Sequence, residues 1–275
     1  MSRTAAPEPA RAGARGPAAD EDTRALCVSI VVPVLNEATT IEAALARLHG
    51  AFPGTEVVVV DGGSSDGTPA LVARPARLVV SRRGRGVQLN AGACAAGGQV
   101  LWFVHADTVI AGDALAQLRA ALADPSVVGG GLTLAFDRRS LALDNVRRAS
   151  NLRARHRGLV FGDQALFVRR STFTAVGGFP DIPLMEDLEL SRRLRRRGRL
   201  VVLPATSTAS TRRFDERGTW RTVLLMQVLK ARYLAGADPE GLARRYSTAS
   251  PPRRRRDWPS LPEHPHQEPA HERTR

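Results

Sequence analysis

The chain has 275 residues, 43% of them hydrophobic, and a formal net charge of +13, enough for one large α/β domain with a sizeable core. The longest nearly unbroken apolar run, Ala25–Leu35, is far short of the ~20 residues a helix needs to span a bilayer. No secretory apolar core is visible near Met1, so a cytoplasmic protein is expected. The first 24 residues are neutral and Ser250–Arg275 contribute +2, which leaves +11 between them. A body this basic suits a nucleotide, an acidic membrane surface or nucleic acid. Charge does not choose among these, and arginine-rich composition with Lys230 as the only lysine equally fits a GC-rich genome. Cys27 and Cys94 show no metal-ligand spacing and are expected as buried free thiols in a reducing compartment.

Residues 1–24 are Ala/Pro/Gly/Arg-rich and aperiodic, and are expected to be a disordered tail. Leu26–Val32 reads as the first strand, closing at Pro33. A helix follows from Thr39 or Thr40 to about Leu48, with Ile41, Ala44, Leu45 and Leu48 on one face. Glu56–Val60 is a valine strand expected to be covered on both faces; it runs into DGGSSDGT (Asp61–Thr68), and a helix is expected from about Thr68. Arg77–Val80 is a short strand, Gly84–Gly98 a small-residue helix, Val100–Val104 a buried strand. Ala111–Leu122 reads as a helix, Val127–Phe136 as a strand and Ser140–Arg153 as a basic helix. Gly162–Arg170 is a loop and strand, Met185–Gly198 a helix, Arg199–Val202 a strand. Ser210–Gly218 is expected as a basic loop before the helix Trp220–Leu234. The expected organisation is a single domain over 25–247 with a second disordered tail over 248–275. Strand–helix alternation predicts an α/β fold with a mostly parallel, doubly wound sheet and an irregular second half.

In such a sheet the loops after the strands meet at one edge, where ligands bind. Four segments should converge there: Pro33–Glu37, Asp61–Thr68, Arg85–Asn90 and His105–Asp107. Asp61 emerges at a strand end, able to accept hydrogen bonds from a base or ribose hydroxyl, while Gly62 lets backbone approach closely. The same stretch also reads as a turn with a helix cap. Two residues apart in an extended chain, His105 and Asp107 should point the same way and are both metal-capable. No GxGxxG follows the first strand and no GxxxxGK loop is present, against a dehydrogenase and a phosphate-loop NTPase.

VVPVLNE, VVVVDGGSSDGT, GRGVQLNAGA, VLWFVHADT, FGDQALFVRR and LMEDLELSRRLRRRGR resemble, in that order, the motifs of family-2 glycosyltransferases, nucleotide-sugar-dependent enzymes of GT-A fold. The small bacterial subgroup called radical-SAM/selenodomain-associated transferase family 2 is the nearest resemblance, which covers about Val28 to Tyr246. It implies that Pro33, Asn36 and Glu37 line the nucleotide pocket, that Asp61 and Gly62 meet the uracil or ribose, and that Asp66, Arg85 and Asn90 support the donor. HAD stands at the family's Asp-x-Asp motif, which implies Asp107 as ligand to Mg²⁺ or Mn²⁺ on the diphosphate. His105 departs from that motif, and either ligates the metal or hydrogen-bonds the diphosphate or sugar.

Glu186–Asp187 matches the acidic pair that supplies the family's catalytic base. Asp187 shares a helix face with Leu190, Ser191 and Leu194, so it should point inward; acids at a helix start also simply complement its dipole. Asp163 and Gln164 fall near the sugar or acceptor by resemblance, or form a β-turn before a strand. Arg212 and Arg213 stand where related enzymes carry a loop closing over the diphosphate. The QxxRW-type motif of processive synthases is absent, which implies single sugar transfer. Thr219–Leu234, apolar and basic together, either packs as core or lies on an anionic membrane at its cytoplasmic face. The second case suits a lipidic acceptor such as a carotenoid acid or polyprenyl phosphate. A sugar-phosphate nucleotidyltransferase would want a glycine-rich Arg/Lys loop where PVLNE stands. A nucleic-acid-binding protein would want interleaved aromatics, but these are 5% and scattered.

Overall fold

The computed structural model describes residues 26–72, 74–211 and 218–248; both expected tails, and Arg212 and Arg213, lie outside the described residues. Its elements are β1 (Val28–Val34), α1 (Ile41–Ala51), β2 (Glu56–Asp61), β3 (Arg77–Val80), α2 (Arg85–Ala95), β4 (Val100–Phe103), β5 (Val109–Ile110), α3 (Ala114–Leu122) and β6 (Val127–Phe136). There follow α4 (Leu141–Arg157), β7 (Phe167–Arg169), α5 (Arg170–Ala175), α6 (Glu186–Leu194), β8 (Arg199–Ala209), α7 (Thr219–Leu234) and α8 (Pro239–Thr248).

The strands form one sheet in the order β3-β2-β1-β4-β7-β6-β8-β5. Pairs β3–β2, β2–β1, β1–β4 and β6–β8 are parallel; β7 and β5 run against their neighbours. The mainly parallel α/β architecture is the one the alternation predicts. Antiparallel β7 is what the irregular second half becomes. Strand order reverses between β1 and β4, and a crevice opens at their carboxyl ends at such a switch point.

Alternation along the strands explains why both faces are covered. Ile30, Val32, Val57, Val59, Val100 and Trp102 pack with Ile41, Leu45 and Leu48 of α1 and Leu118 of α3 on one face. Val31, Val58, Val60, Leu101 and Phe103 pack with Leu89 and Ala93 of α2 and Leu190 and Leu194 of α6 on the other. Each fully buried side chain of this kind contributes roughly 1.5–3 kcal/mol. Close approach of α2 requires glycine at 92: a Cβ there would sit 2.3 Å from Val31 Cγ1. That contact fixes how Arg85 and Gln88, on the same helix, meet the strand ends.

Several local expectations shift. β1 runs through Pro33 to Val34, because the last β1–β4 pair is Val31↔Phe103 and the missing N–H of Pro33 forfeits no bond to β4. The helix expected near Thr68 is a single 3₁₀ turn, Thr68–Leu71. β8 runs to Ala209, not Val202, since β6 pairs along its length. Cys27 and Cys94 are exposed, not buried: α2 turns Leu89, Gly92 and Ala93 inward and Cys94 outward. A third apolar cluster joins Leu184, Met185 and Leu188 to Leu229 of α7 and Leu242 of α8. So α7 packs onto the domain, although Trp220, Leu224, Val228 and Leu234 remain exposed.

Candidate active site

Asp61 ends β2 and is buried. Its Oδ2 accepts from Gly63 N at 2.9 Å and Ser64 N at 3.0 Å, while Oδ1 is enclosed with no hydrogen-bond partner among the described residues. A buried carboxylate oxygen left open is costly, and suits a ligand donor such as a ribose hydroxyl or base N–H. Gly62 lies against Gln88, whose Nε2 donates to Val34 O at 2.8 Å and Val60 O at 3.0 Å. Gln88, within the GRGVQLN motif but given no role there, thus caps the ends of β1 and β2.

The loops after β1 and β2 are tied to each other. Asn36, in the left-handed region at φ 55°, accepts from Ser65 N at 2.9 Å, and its own N–H reaches Ser64 Oγ at 2.8 Å. Asp66 accepts from Ala38 N and Thr68 N, both at 3.0 Å, and from the Thr68 hydroxyl. Burial works against that carboxylate, but these bonds prevail and hold it below the usual range. Glu37 N donates to Thr68 Oγ1 at 2.9 Å, and its carboxylate accepts from Thr40 Oγ1 at 2.8 Å. Asp66, expected to meet the donor, instead spends both oxygens on shaping the loops, and Pro33 sits half-buried within β1 beneath them.

β4 ends at Phe103 and the next residues turn, with Thr108 N donating to His105 O at 3.1 Å. Strand alternation therefore does not orient His105 and Asp107. Asp107 is exposed and His105 half-buried. Among the described residues no group of three or more His, Cys, Asp or Glu is arranged to hold a metal. Two donors still fit a divalent cation bound mainly through substrate phosphates and water, the usual manner of Mg²⁺.

The acidic end of α6 meets His105 across Gly162. Glu186 is buried, and Arg85 Nε lies 2.8 Å from its Oε1, close enough for a strong charge contact but out of line for a hydrogen bond. Burial pushes the Glu186 carboxyl up, Arg85 pulls it down and Asp187 pushes it up again; the net direction is up. The guanidinium of Arg85 is held above its ordinary value, chiefly by Glu186. Asp187 is half-buried, and each oxygen takes one backbone N–H: Gly162 N at 3.0 Å and Leu188 N at 2.7 Å. Gly162 is the meeting point. A Cβ on it would lie 3.0 Å from His105 Nε2 and 3.6 Å from Arg85 Nη1. Contacts thus run unbroken from Asp61 through Gly62 and Gln88, along α2 to Arg85, to Glu186 and Asp187, and across Gly162 to His105.

The remaining expected residues have other duties. Asn90 donates to Phe179 O at 2.8 Å and accepts from Phe179 N at 3.0 Å, clamping the 177–183 loop. Gln164 is fully buried and bonded to Leu132 O and Arg153, so it braces the turn and does not reach a sugar. Asp163 retains some exposed surface, but Oδ1 is enclosed and unpartnered among the described residues. Burial raises its pKa, with Arg153 pulling the other way. Trp102 Nε1 donates to Ala165 O at 3.0 Å and pins this turn to β4. Phe161, the first residue of FGDQALFVRR, meets Arg153 and Lys230, which no motif singled out. Arg153 Cζ lies 3.7 Å and Lys230 Nζ 5.6 Å from the Phe161 ring centroid.

Asp61 stands at the carboxyl edge of an open α/β sheet, where folds of this kind bind their ligands. The chain belongs to glycosyl transferase family 2, whose model matches residues 29–173, and its chemistry is glycosyl transfer. No curated protein matches the chain. Among solved structures it is similar to mannosyltransferase PcManGT from Pyrobaculum calidifontis, in complex with GDP-Man and Mn²⁺, at 24% identity and TM-score 0.58 over 82% of this chain and 68% of that one. Glucosyl-3-phosphoglycerate synthase from Mycobacterium tuberculosis, with Mn²⁺, UDP and glucosyl-3-phosphoglycerate, aligns at 21% identity and TM-score 0.54 over 79% and 85%. S. aureus TarS aligns at 20% and 0.50 over 67% of this chain, which spans 60% of the TarS chain. At these identities the likeness is one of fold.

Proposed function

We propose that the protein is an inverting glycosyltransferase, moving one sugar from a nucleoside-diphosphate sugar to a hydroxyl or carboxylate acceptor. Asp61, with one buried oxygen open, takes the ribose or base; Asn36 and Glu37 shape the pocket wall. Asp107 and His105 would hold a divalent cation, which when bound would neutralise the diphosphate. Asp187 takes the proton of the acceptor hydroxyl as that oxygen bonds to the anomeric carbon and the carbon–oxygen bond to the diphosphate breaks. The bonding pair leaves on the nucleoside diphosphate, and displacement from the opposite side inverts the centre. Gly162 N and Leu188 N fix the orientation of Asp187, and Arg85 stands against the neighbouring Glu186.

The observation that carries this reading is the contact chain from Asp61 to His105 through Asp187. Its test is thermal shift with UDP, GDP and dTDP, with and without Mn²⁺, followed by donor hydrolysis across a panel of nucleotide sugars. Metal-dependent stabilisation by one nucleotide is expected; stabilisation by none of them removes the proposal.

The face of α7 bearing Trp220, Leu224, Val228 and Leu234, flanked by exposed Arg221 and Arg232, supports contact with an anionic membrane surface. Co-sedimentation with vesicles should rise with anionic lipid content. Binding indifferent to that content counts against it.

A further inference from the structure

Two cations beside the proposed base are left without an anion of their own. Arg153 is held rigidly: Nε donates to Leu159 O at 3.2 Å, Nη2 to Gln164 Oε1 at 3.3 Å, and its plane lies over Phe161. Lys230, the only lysine in the chain, comes from α7 to the same ring. Among the described residues its ammonium makes no hydrogen bond and no ion pair. Burial lowers the pKa of both groups, and Arg153 lowers that of Lys230 further by repulsion. Asp163 and Asp187 are the carboxyls near them, yet among the described residues neither makes a hydrogen bond or ion pair with either cation. Asp187 is held by two backbone N–H groups, and Oδ1 of Asp163 is enclosed without a hydrogen-bond partner among the described residues.

Two like charges sharing one ring in partial burial repel, and an anion placed there relieves both. Phe161 directly precedes Gly162, whose N–H holds Asp187 Oδ2 at 3.0 Å, which sets the ammonium beside the base. We propose that Lys230 and Arg153 form an anion subsite beside Asp187, so that the acceptor carries a carboxylate or phosphate close to its reacting hydroxyl. This rests on the reading of Asp187 as the base of a glycosyl transfer. Lys230 lies beyond the segment that the family model matches, whereas Arg153 and Phe161 lie within it, so the subsite joins the family segment to the helix that follows.

The test uses the full chain saturated with the stabilising nucleotide and Mn²⁺, which fills the donor side. Inorganic phosphate and acetate are then titrated calorimetrically into wild type, K230Q and K230R. At least one anion should bind wild type, bind K230Q ~10-fold more weakly or worse, and bind K230R nearly as wild type, since a charge-assisted bond contributes roughly 1.5–3 kcal/mol. Nucleotide–Mn²⁺ affinity should be the same in all three. Equal anion binding by wild type and K230Q overturns the proposal. So does a K230Q loss confined to nucleotide affinity, which would give the ammonium to the donor diphosphate. Where no nucleotide binds wild type, the glycosyltransferase reading fails, while the anion titration on the nucleotide-free protein still reads the subsite. Glycerol 3-phosphate and dihexanoyl phosphatidic acid share a phosphate monoester and separate the sources. Equal Lys230-dependent binding supports a soluble acidic acceptor, and binding ~10-fold tighter for the lipid supports a lipid-borne one.

Discussion

Asp187 Oδ2 accepts from Gly162 N at 3.0 Å, joining the first turn of α6 to the turn before β7. One carboxylate is thereby set beside His105, at the end of β4. Asp187→Asn keeps the volume but turns an acceptor into a donor and removes the base. Turnover should fall ~10²-fold or more with nucleotide affinity unchanged; wild-type turnover measured alongside nucleotide affinity would end the assignment.

Gly162→Ala tests the same junction from the other side. The new methyl would lie 3.0 Å from His105 Nε2 and 3.1 Å from Cε1, so the imidazole must give by a few tenths of an ångström. A stability cost of about 1 kcal/mol, at the low end for overpacking, is expected. A Mn²⁺ titration followed by nucleotide binding should shift to higher metal concentration.

Asp107 and His105 should separate in their effects. Asp107→Ala should abolish the Mn²⁺-dependent part of nucleotide binding, because an ionised oxygen donor is lost. His105→Ala should weaken the Mn²⁺ effect more than the Mg²⁺ effect, because imidazole suits the softer ion. Nucleotide affinity in Mn²⁺ that is unchanged by Asp107→Ala would sink the metal assignment.

For Asp61, the open Oδ1 carries the prediction. Asp61→Asn should lower nucleotide affinity ~10-fold or more, the scale of a charge-assisted hydrogen bond. Direct binding measurements check it; affinity within twofold of wild type would mean that Oδ1 faces no ligand donor.

Asp163 predicts a pH dependence of stability. Burial raises its folded pKa above the ordinary 3.8, so the folded state holds the proton more tightly than the unfolded chain. That stabilisation is fully present below the unfolded value and is lost as pH rises through the folded one. Asp163→Asn removes the titration. Its melting temperature relative to wild type should therefore climb as pH rises from about 4 upward. A difference that stays flat with pH would contradict the burial of this carboxyl.

The backbone scaffold was largely legible in the amino-acid order. The apolar runs of β1, β2 and Val100–Phe103, and the Ile41/Ala44/Leu45/Leu48 face of α1, all report local hydrophobic pattern. Such a pattern forces burial whatever the rest of the chain does. A carboxylate at a strand end followed from that, and Asp61 stands at such an end, whereas Asp187 lies in the first turn of α6.

Tertiary structure alone decided which polar side chains remain available to a ligand. Asn90 and Phe179 are 89 residues apart, yet their mutual bonds withdraw an amide that its motif offered to the donor. Asp66 and Gln164 are withdrawn likewise by backbone groups on other segments. Lys230 becomes interesting only because α7 folds back over Phe161 through Leu229 and Leu242. A residue's type and spacing state what it can bond. Competition from backbone donors and acceptors brought near by folding determines what it does bond, and that competition is non-local.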